Sequence, residues 1–254
     1  MSFNYSSPLE QFEVTNLISL NAPILGYFNM TFTNLGLYSF IVLFLVISLH
    51  YLGNNHNKLV PSKWSIALES SYASVHSMVK SQIGQNNEMY LPLIYALFFF
   101  IIISNLTGNV PYSYALGTSA IVSLGFSFTI FIGVTILGLY KHHLRFFSFF
   151  VPSGTPLGLV PMLILIEFLS YVARAFSLGV RLFANLVAGH SLLKILSGLL
   201  LSMFTTSLFI FIITLIPFTI FIALIGLELA VSVIQAYVFS LLVCSYIKDA
   251  IDLH

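Results

Sequence analysis

The sequence predicts an all-α integral membrane protein, and three observations carry that prediction. Charged residues make up 7% of the 254 residues and hydrophobic ones 58%, with a mean hydropathy of +1.00. An ordinary soluble domain carries roughly 25% charge and cannot build a water-facing surface from much less. The apolar residues also come in unbroken runs, and about 20 such residues in a helix cross a hydrocarbon core roughly 30 Å thick. Finally, the runs lack the in–out alternation of a membrane barrel, the only other structure that satisfies every backbone polar group without water. A single membrane domain over residues 1–254, with short loops, is the economical organisation.

The first span covers about residues 35–52, rich in Leu, Ile, Val and Phe, and is closed by the polar stretch Gly53-Asn-Asn-His-Asn-Lys58. Pro61 then opens a segment over about 61–82 in which Trp64, Leu68, Tyr72, Val75 and Val79 recur at helical spacing. That pattern predicts an amphipathic helix lying on the membrane face. A second span over about 89–104 and a third over about 119–140 are joined by Asn105-Leu-Thr-Gly-Asn-Val-Pro-Tyr-Ser-Tyr114, whose Gly108 and Pro111 form turns. From Pro156 the chain is apolar almost to its end, roughly twice the length that two perpendicular spans require. A break near Ser197-Gly198 and Pro217 would divide this stretch. Several short helices, or two long tilted helices over about 156–197 and 203–248, both accommodate the excess.

Composition and motifs exclude several function classes. A net charge of +1 offers no concentrated basic patch for nucleic acid. Lone Cys244 forms no internal disulfide and is expected to pack as a small hydrophobe. Neither a phosphate-binding Gly-x-x-x-x-Gly-Lys loop, a Cys-x-x-Cys pair nor a His-Glu-x-x-His metal motif occurs, so no cofactor is expected. His142-His143, beside Lys141 and Arg145, reads as a solvated patch at the membrane surface, and the Asn-x-Ser/Thr matches at Asn4, Asn29 and Asn105 receive no function. The first seven residues lack both an Arg-rich presequence and a basic signal peptide, so targeting is expected from the spans or from synthesis within the destination organelle. Lys58, Lys63 and Lys80 follow span one, while Lys141 and Arg145 follow span three. The basic-side rule puts all five on the inner face, with the N-terminus outward.

Within the final apolar part sit Glu167, Arg174, Arg181, His190, Lys194 and Glu228. A charge at the bilayer centre costs about 2.5–3.5 kcal/mol even on the lenient insertion scale, so such residues face protein or water and mark ion pathways. Glu167, Arg174 and Arg181 are seven apart, which places them on one helical stripe, and Asn185 extends it. His190 is turned to roughly the opposite side. Arg174 and Lys194 fit mutual neutralisation or snorkelling to the headgroups as well as any other role. Arg181 has no carboxylate three or four residues away, so its partner must come from another segment or another protein. Glu228, Ser232 and Gln235 form a polar seam on the last helix. A buried carboxyl and an imidazole, Glu228 and His190, can exchange protons near neutrality where an aqueous inlet reaches them.

These residues sit in recognisable strings. Val151-Pro-Ser-Gly-Thr-Pro-Leu-Gly-Leu-Val160 and Tyr171-Val-Ala-Arg-Ala-Phe-Ser-Leu-Gly-Val-Arg-Leu-Phe-Ala-Asn-Leu-Val-Ala-Gly-His190 resemble subunit a of the rotary ATP synthase. Asn105-Leu-Thr-Gly-Asn-Val-Pro-Tyr112 and Leu227-Glu-Leu-Ala-Val-Ser-Val-Ile-Gln-Ala-Tyr237 look like two further family signatures, and Tyr246-Ile-Lys-Asp-Ala-Ile-Asp-Leu-His254 is similar to the fungal mitochondrial form. The resemblance implies that the last two helices are long, strongly tilted and laid as a hairpin against a ring of c subunits. It implies that Arg181 is the essential arginine facing the ring carboxylate, that His190 and Glu228 serve the inlet from the intermembrane space, and that Glu167 and Asp249 serve the outlet to the matrix. Asn185 and Gln235 would support the site. The implied partners are the c ring, the peripheral stalk, other small membrane subunits and lipid. The implied location is the mitochondrial inner membrane, with the C-terminus toward the matrix. Ser7-Pro-Leu-Glu-Gln-Phe12 is similar to the mature start of yeast-like members, which implies removal of residues 1–6. Two departures stand out: Lys194, where relatives are usually uncharged, and Phe183, at a place that is often Gly.

Two rival readings remain at this level. A self-contained transporter with broken helices near the midplane predicts an internal repeat, and none is evident between the halves. A passive scaffold would tolerate loss of Arg181.

Overall fold

The computed structural model describes residues 9–21, 29–53, 60–110, 113–143, 146–147, 157–204 and 208–251. The expected removable start (residues 1–6), the loop cations Lys58 and Arg145, the turn residue Pro111 and motif residues 151–156 lie outside the described residues.

Six long helices follow one another: α1 (Asn34–Gly53), α2 (Lys63–Ile83), α3 (Leu91–Gly108), α4 (Ala120–His142), α5 (Val160–Phe204) and α6 (Leu208–Ile251). All but α2 are long and apolar enough to cross a membrane. Ahead of them, β1 (Asn16–Asn21) pairs antiparallel with β2 (Asn29–Thr33), a small hairpin added to the all-α body and not foreseen from the sequence. Its strands are short: β2 alternates polar and apolar residues over only five positions, and β1 breaks the alternation at Leu17-Ile18, so the signal is weak.

The first apolar run forms α1 over residues 34–53, and the last stretch forms α5 and α6 over 160–204 and 208–251, the latter two displaced by up to seven residues from the expected bounds. α2 starts at Ser62, whose hydroxyl accepts a hydrogen bond from the Ser65 backbone N–H at 3.2 Å, an N-cap that satisfies one orphan donor of the first turn. Its expected apolar stripe divides. Val75 and Val79, joined by Met78 and Ile83, bury against α3 and α6, while Trp64 and Tyr72 turn outward. The longest apolar stretch resolves into two helices of 45 and 44 residues. The expected breaks at Ser197-Gly198 and Pro217 do not occur: both sites lie inside continuous helix. Proline removes one i→i−4 hydrogen bond, and flanking turns in an apolar environment keep the rest of the ladder closed.

One core joins α2, α3, α4, α5 and α6, built around Phe239, Val243, Cys244 and Ile247 of α6 with Ile94 and Ile101 of α3 and Leu178 and Leu182 of α5. Cys244 is fully buried there and packs as the small hydrophobe the sequence suggested. α1 attaches through a second cluster of Val42, Phe99, Ile103 and Leu116. Lipid tails are as apolar as leucine, so close backbone approach and dispersion, rather than hydrophobic exclusion, must hold such helices together. Gly179 supplies that approach where α5 crosses α4: a Cβ there would lie 3.0 Å from the Ser123 carbonyl oxygen and from Leu124, and closer still to the Ser127 hydroxyl.

The helix ends are tied as well. His142 is not the solvated residue the sequence suggested: it closes α4, and its Nε2 donates to the Ile251 carbonyl at 2.8 Å, capping α6. His143 beside it is exposed, at φ 51°.

Gly179→Val is predicted to lower the thermal unfolding midpoint of the purified chain in detergent, an overpacking cost of about 1–3 kcal/mol. Gly125→Val and Gly133→Val, where a Cβ meets nothing within 4 Å, should leave the midpoint nearly unchanged. Equal effects at all three positions would contradict the packing described.

Candidate functional site between the two long helices

α5 and α6 meet through three polar pairs whose order fixes their direction. Asp249 accepts a hydrogen bond from Arg174 Nη1 at 3.0 Å, Gln235 Oε1 accepts from Asn185 Nδ2 at 3.0 Å, and Glu228 Oε1 lies 3.4 Å from His190 Nδ1. As position advances along α5 its partner recedes along α6, so the helices run antiparallel.

The charged group at one end is a cluster of three. Arg174 lies between two carboxylates, 3.0 Å from Asp249 and 3.5 Å from Glu167, each side chain about one-third exposed. The Tyr246 hydroxyl donates to the Arg174 backbone carbonyl at 3.3 Å, which ties α6 to α5 at the same level. Mutual neutralisation, one of the two readings left open for Arg174, is therefore what the geometry displays. Lys194 is half-buried and also engaged.

At the other end, His190 and Glu228 have side chains only 16% and 11% exposed. The carboxyl lies flat against α5 because residue 189 is glycine: a Cβ there would come within 2.8 Å of Glu228 Oε1 and 3.2 Å of its Cδ. Ser232 donates to the Glu228 carbonyl at 2.9 Å and in turn accepts from Asn109 Nδ2 at 2.9 Å, while Asn105 Nδ2 donates to the Ser232 carbonyl at 3.3 Å. A small cavity is lined by Asn105, Asn185, Glu228, Ser232 and Gln235. Around it, His190 Nε2, Glu228 Oε1, Gln235 Nε2 and Asn109 Oδ1 are buried without a hydrogen-bond partner among the described residues. Buried polar atoms left unpaired are costly, and a cluster of them in one place is the signature of a site that holds water.

Between the two ends stands Arg181. The buried face of α5 is made by Ala175, Leu178, Gly179, Leu182 and Leu186. Arg181 lies to one flank of that face and His190 to the other, given about 100° per residue. This explains how His190, on roughly the opposite side from Arg181, still reaches α6. The antiparallel register brings residues 239–242 of α6 opposite Arg181, and Phe239, Ser240, Leu241 and Leu242 carry no charge. Arg181 is exposed and has no ion pair or hydrogen bond among the described residues. Its exposed neighbours on the flank, Ser177, Ala184, Asn185 and Ala188, are small or polar.

Every site residue singled out in the sequence except Arg181 is thus paired along the α5–α6 seam, and Arg181 stands on the exposed flank beside it. Two that were given no site role are Asn105 and Asn109, quoted in the hairpin loop and in a family signature, with Asn105 also an Asn-x-Ser/Thr match. Their signal was present: two amides four residues apart at the end of an apolar run share one face, and a polar face there must find a partner. Asn105 is 1% exposed with its amide nitrogen committed to Ser232, so it is no glycosylation acceptor. Among the described residues no group of three or more His, Cys, Asp or Glu could hold a metal ion.

Comparison with known proteins gives a consistent result. The model of the family described as ATP synthase A chain matches residues 36–248. The chain is 66% identical to ATP synthase subunit a of Mycosarcoma maydis over all of both chains. It is 52% identical to that of Emericella nidulans, with 99% of each chain covered, and 49% identical to that of Kluyveromyces lactis, with 98% of each covered.

A double-mutant cycle at the charged cluster should give a larger coupling for Arg174→Ala with Asp249→Ala than for Arg174→Ala with Glu167→Ala, since the former pair is shorter and hydrogen-bonded. Partial exposure limits both to about 1 kcal/mol. Thermal unfolding of the parent, the three single variants and the two double variants in detergent measures it, and a reversed order would contradict the geometry.

Proposed function

This chain belongs to the ATP synthase A chain family, and from that premise we propose how it moves protons: Arg181 faces the carboxylate of a rotating ring of c subunits, between two offset aqueous half-channels. The chain is a multi-pass membrane subunit of the proton-translocating synthase, not an enzyme by itself.

The observation that carries the reading is the isolation of Arg181. Glu167, Arg174 and Asp249 are paired at one end of the seam, His190 and Glu228 at the other, and Lys194 is engaged, whereas this guanidinium stands on an exposed flank with only uncharged residues of α6 opposite. A permanent charge in hydrocarbon is costly, so its counter-charge comes from a partner protein. A fixed guanidinium favours the ionised form of a carboxylate brought against it. A ring carboxyl arriving protonated therefore gives up its proton near Arg181, and the arginine blocks a direct proton path past itself.

His190 and Glu228 serve as the inlet relay, about 13 Å along α5 from Arg181, with Asn185 and Gln235 as the supporting amides. Their unpaired buried atoms supply the hydrogen-bonding sites that a water file needs. Glu167 and Asp249 serve the outlet, and Arg174 holds the two carboxylates together at its mouth. The displacement of the two ends along the helix makes the half-channels offset, so a proton completes the crossing only on the ring. Ion flow thereby becomes torque.

Helix length supports the tilt. At 1.5 Å per residue each long helix extends about 67 Å, roughly twice the hydrocarbon thickness, so α5 and α6 lie steeply inclined as a hairpin against the ring. The three conventional spans are α1, α3 and α4, and α2 rides on the inner face. The single domain, the inner mitochondrial membrane, an N-terminus toward the intermembrane space and a C-terminus toward the matrix complete the reading, together with removal of residues 1–6. The ring, the peripheral stalk, other small membrane subunits and lipid are the partners.

Arg181→Ala should abolish proton-driven ATP synthesis in enzyme that still assembles, measured in inside-out membrane vesicles against an assembled control. Undiminished synthesis would overturn the assignment.

A further inference from the structure

His190 is enclosed on three sides, and one wall comes from outside the helical body. Gly108, at the end of α3, backs its Nε2, and Glu228 of α6 meets its Nδ1. The third side is Phe12 of the N-terminal segment, whose ring centroid lies 6.4 Å from that of the imidazole at an interplanar angle of 60°.

Phe12 is held there by a chain of specific bonds. Its own backbone N–H donates to the Leu9 carbonyl at 3.0 Å, closing a tight turn. Just beyond it the chain is fastened to Asn34, the first residue of α1. Asn34 Nδ2 donates to the Glu13 carbonyl at 3.1 Å, and the Asn34 backbone N–H donates to the Thr15 carbonyl at 3.1 Å. The antiparallel hairpin of β1 and β2 then closes the loop between these anchors. The segment is thus positioned by the body rather than merely attached to it.

We propose that this N-terminal segment forms the outer wall of the inlet, with Phe12 covering His190 and Asn34 as the positioning residue that holds the cover in place. The proposal rests on the reading of His190 and Glu228 as the inlet. The inlet has to admit water while keeping out acyl chains, because an imidazole buried in lipid has nothing with which to exchange protons. An aromatic ring suits this task. It presents a rigid apolar surface with few rotatable bonds, and it meets a neighbouring ring in a tilted arrangement of the kind that aromatic pairs prefer. The imidazole nitrogen without a hydrogen-bond partner, Nε2, remains for water, and the polar lining continues inward through Asn109 and Ser232.

The test uses the assembled synthase in its own membranes, with Cys244→Ser to remove the native thiol and Ser232→Cys as reporter inside the inlet. The probe is a membrane-impermeant methanethiosulfonate bearing a quaternary ammonium, added from the intermembrane side, with modification read by mass. Phe12→Ala should raise the modification rate several-fold, Asn34→Ala should raise it less, and Phe12→Leu, which keeps bulk but loses the ring, should fall between Phe12→Ala and the parent. A purely structural role for Phe12 would lower the amount of assembled enzyme and leave the rate in the assembled fraction unchanged; that result overturns the proposal while leaving the inlet reading intact. Reaction only from the opposite side, or none from either side in the Phe12→Ala enzyme, overturns the inlet reading and the proposal with it.

Discussion

Hydrocarbon offers a polar group no hydrogen bond and a charge no screening, and that single constraint organises the molecule. It compels the backbone into helices, so a chain with 7% charge still folds into a defined structure. It also puts a cost on every polar side chain left without a partner. Arg174 is partnered by two carboxylates, Asn185 by Gln235, and Ser232 by Asn105, Asn109 and the backbone of its own helix. Arg181 has no ion pair or hydrogen bond within the described residues, and its charge is left for a partner outside them to meet.

The seam between α5 and α6 is graded rather than uniform. A compensated ionic cluster stands at one end, an amide pair near the middle, and at the other end a histidine and a glutamate with buried polar atoms that have no hydrogen-bond partner among the described residues. Glycine shapes this gradient where side chains would obstruct it. Gly189 lets Glu228 lie against α5, and Gly179 brings α5 onto α4 at Ser123 and Ser127. Both are packing demands, and neither depends on an unusual backbone angle.

Much of this was legible in the residues. Hydropathy gave the spans because bilayer thickness fixes their length, and the seven-residue spacing of Glu167, Arg174 and Arg181 gave the polar stripe because the helical period is fixed. The lack of a nearby carboxylate already isolated Arg181. Other features depended on tertiary partners that no local pattern encodes. The continuity of α5 and α6 through Ser197-Gly198 and Pro217 went against local breaker rules, which describe the competition between helix and water and lose force where water is absent. The contacts of Asn105 and Asn109 with Ser232 link positions more than 120 residues apart. The β1–β2 hairpin has strands of six and five residues, too short for their pattern to announce itself.

The account stands on the flank of α5 that bears Ser177, Arg181, Ala184 and Ala188. A density map of the assembled membrane complex, resolved well enough to trace side chains, tests it most directly. The account predicts that this flank abuts the c ring, with the Arg181 guanidinium within reach of a ring carboxylate and the His190–Glu228 pair opening to water on the intermembrane side. A map in which that flank faces lipid or a stationary subunit, with another surface of the chain against the ring, would contradict it.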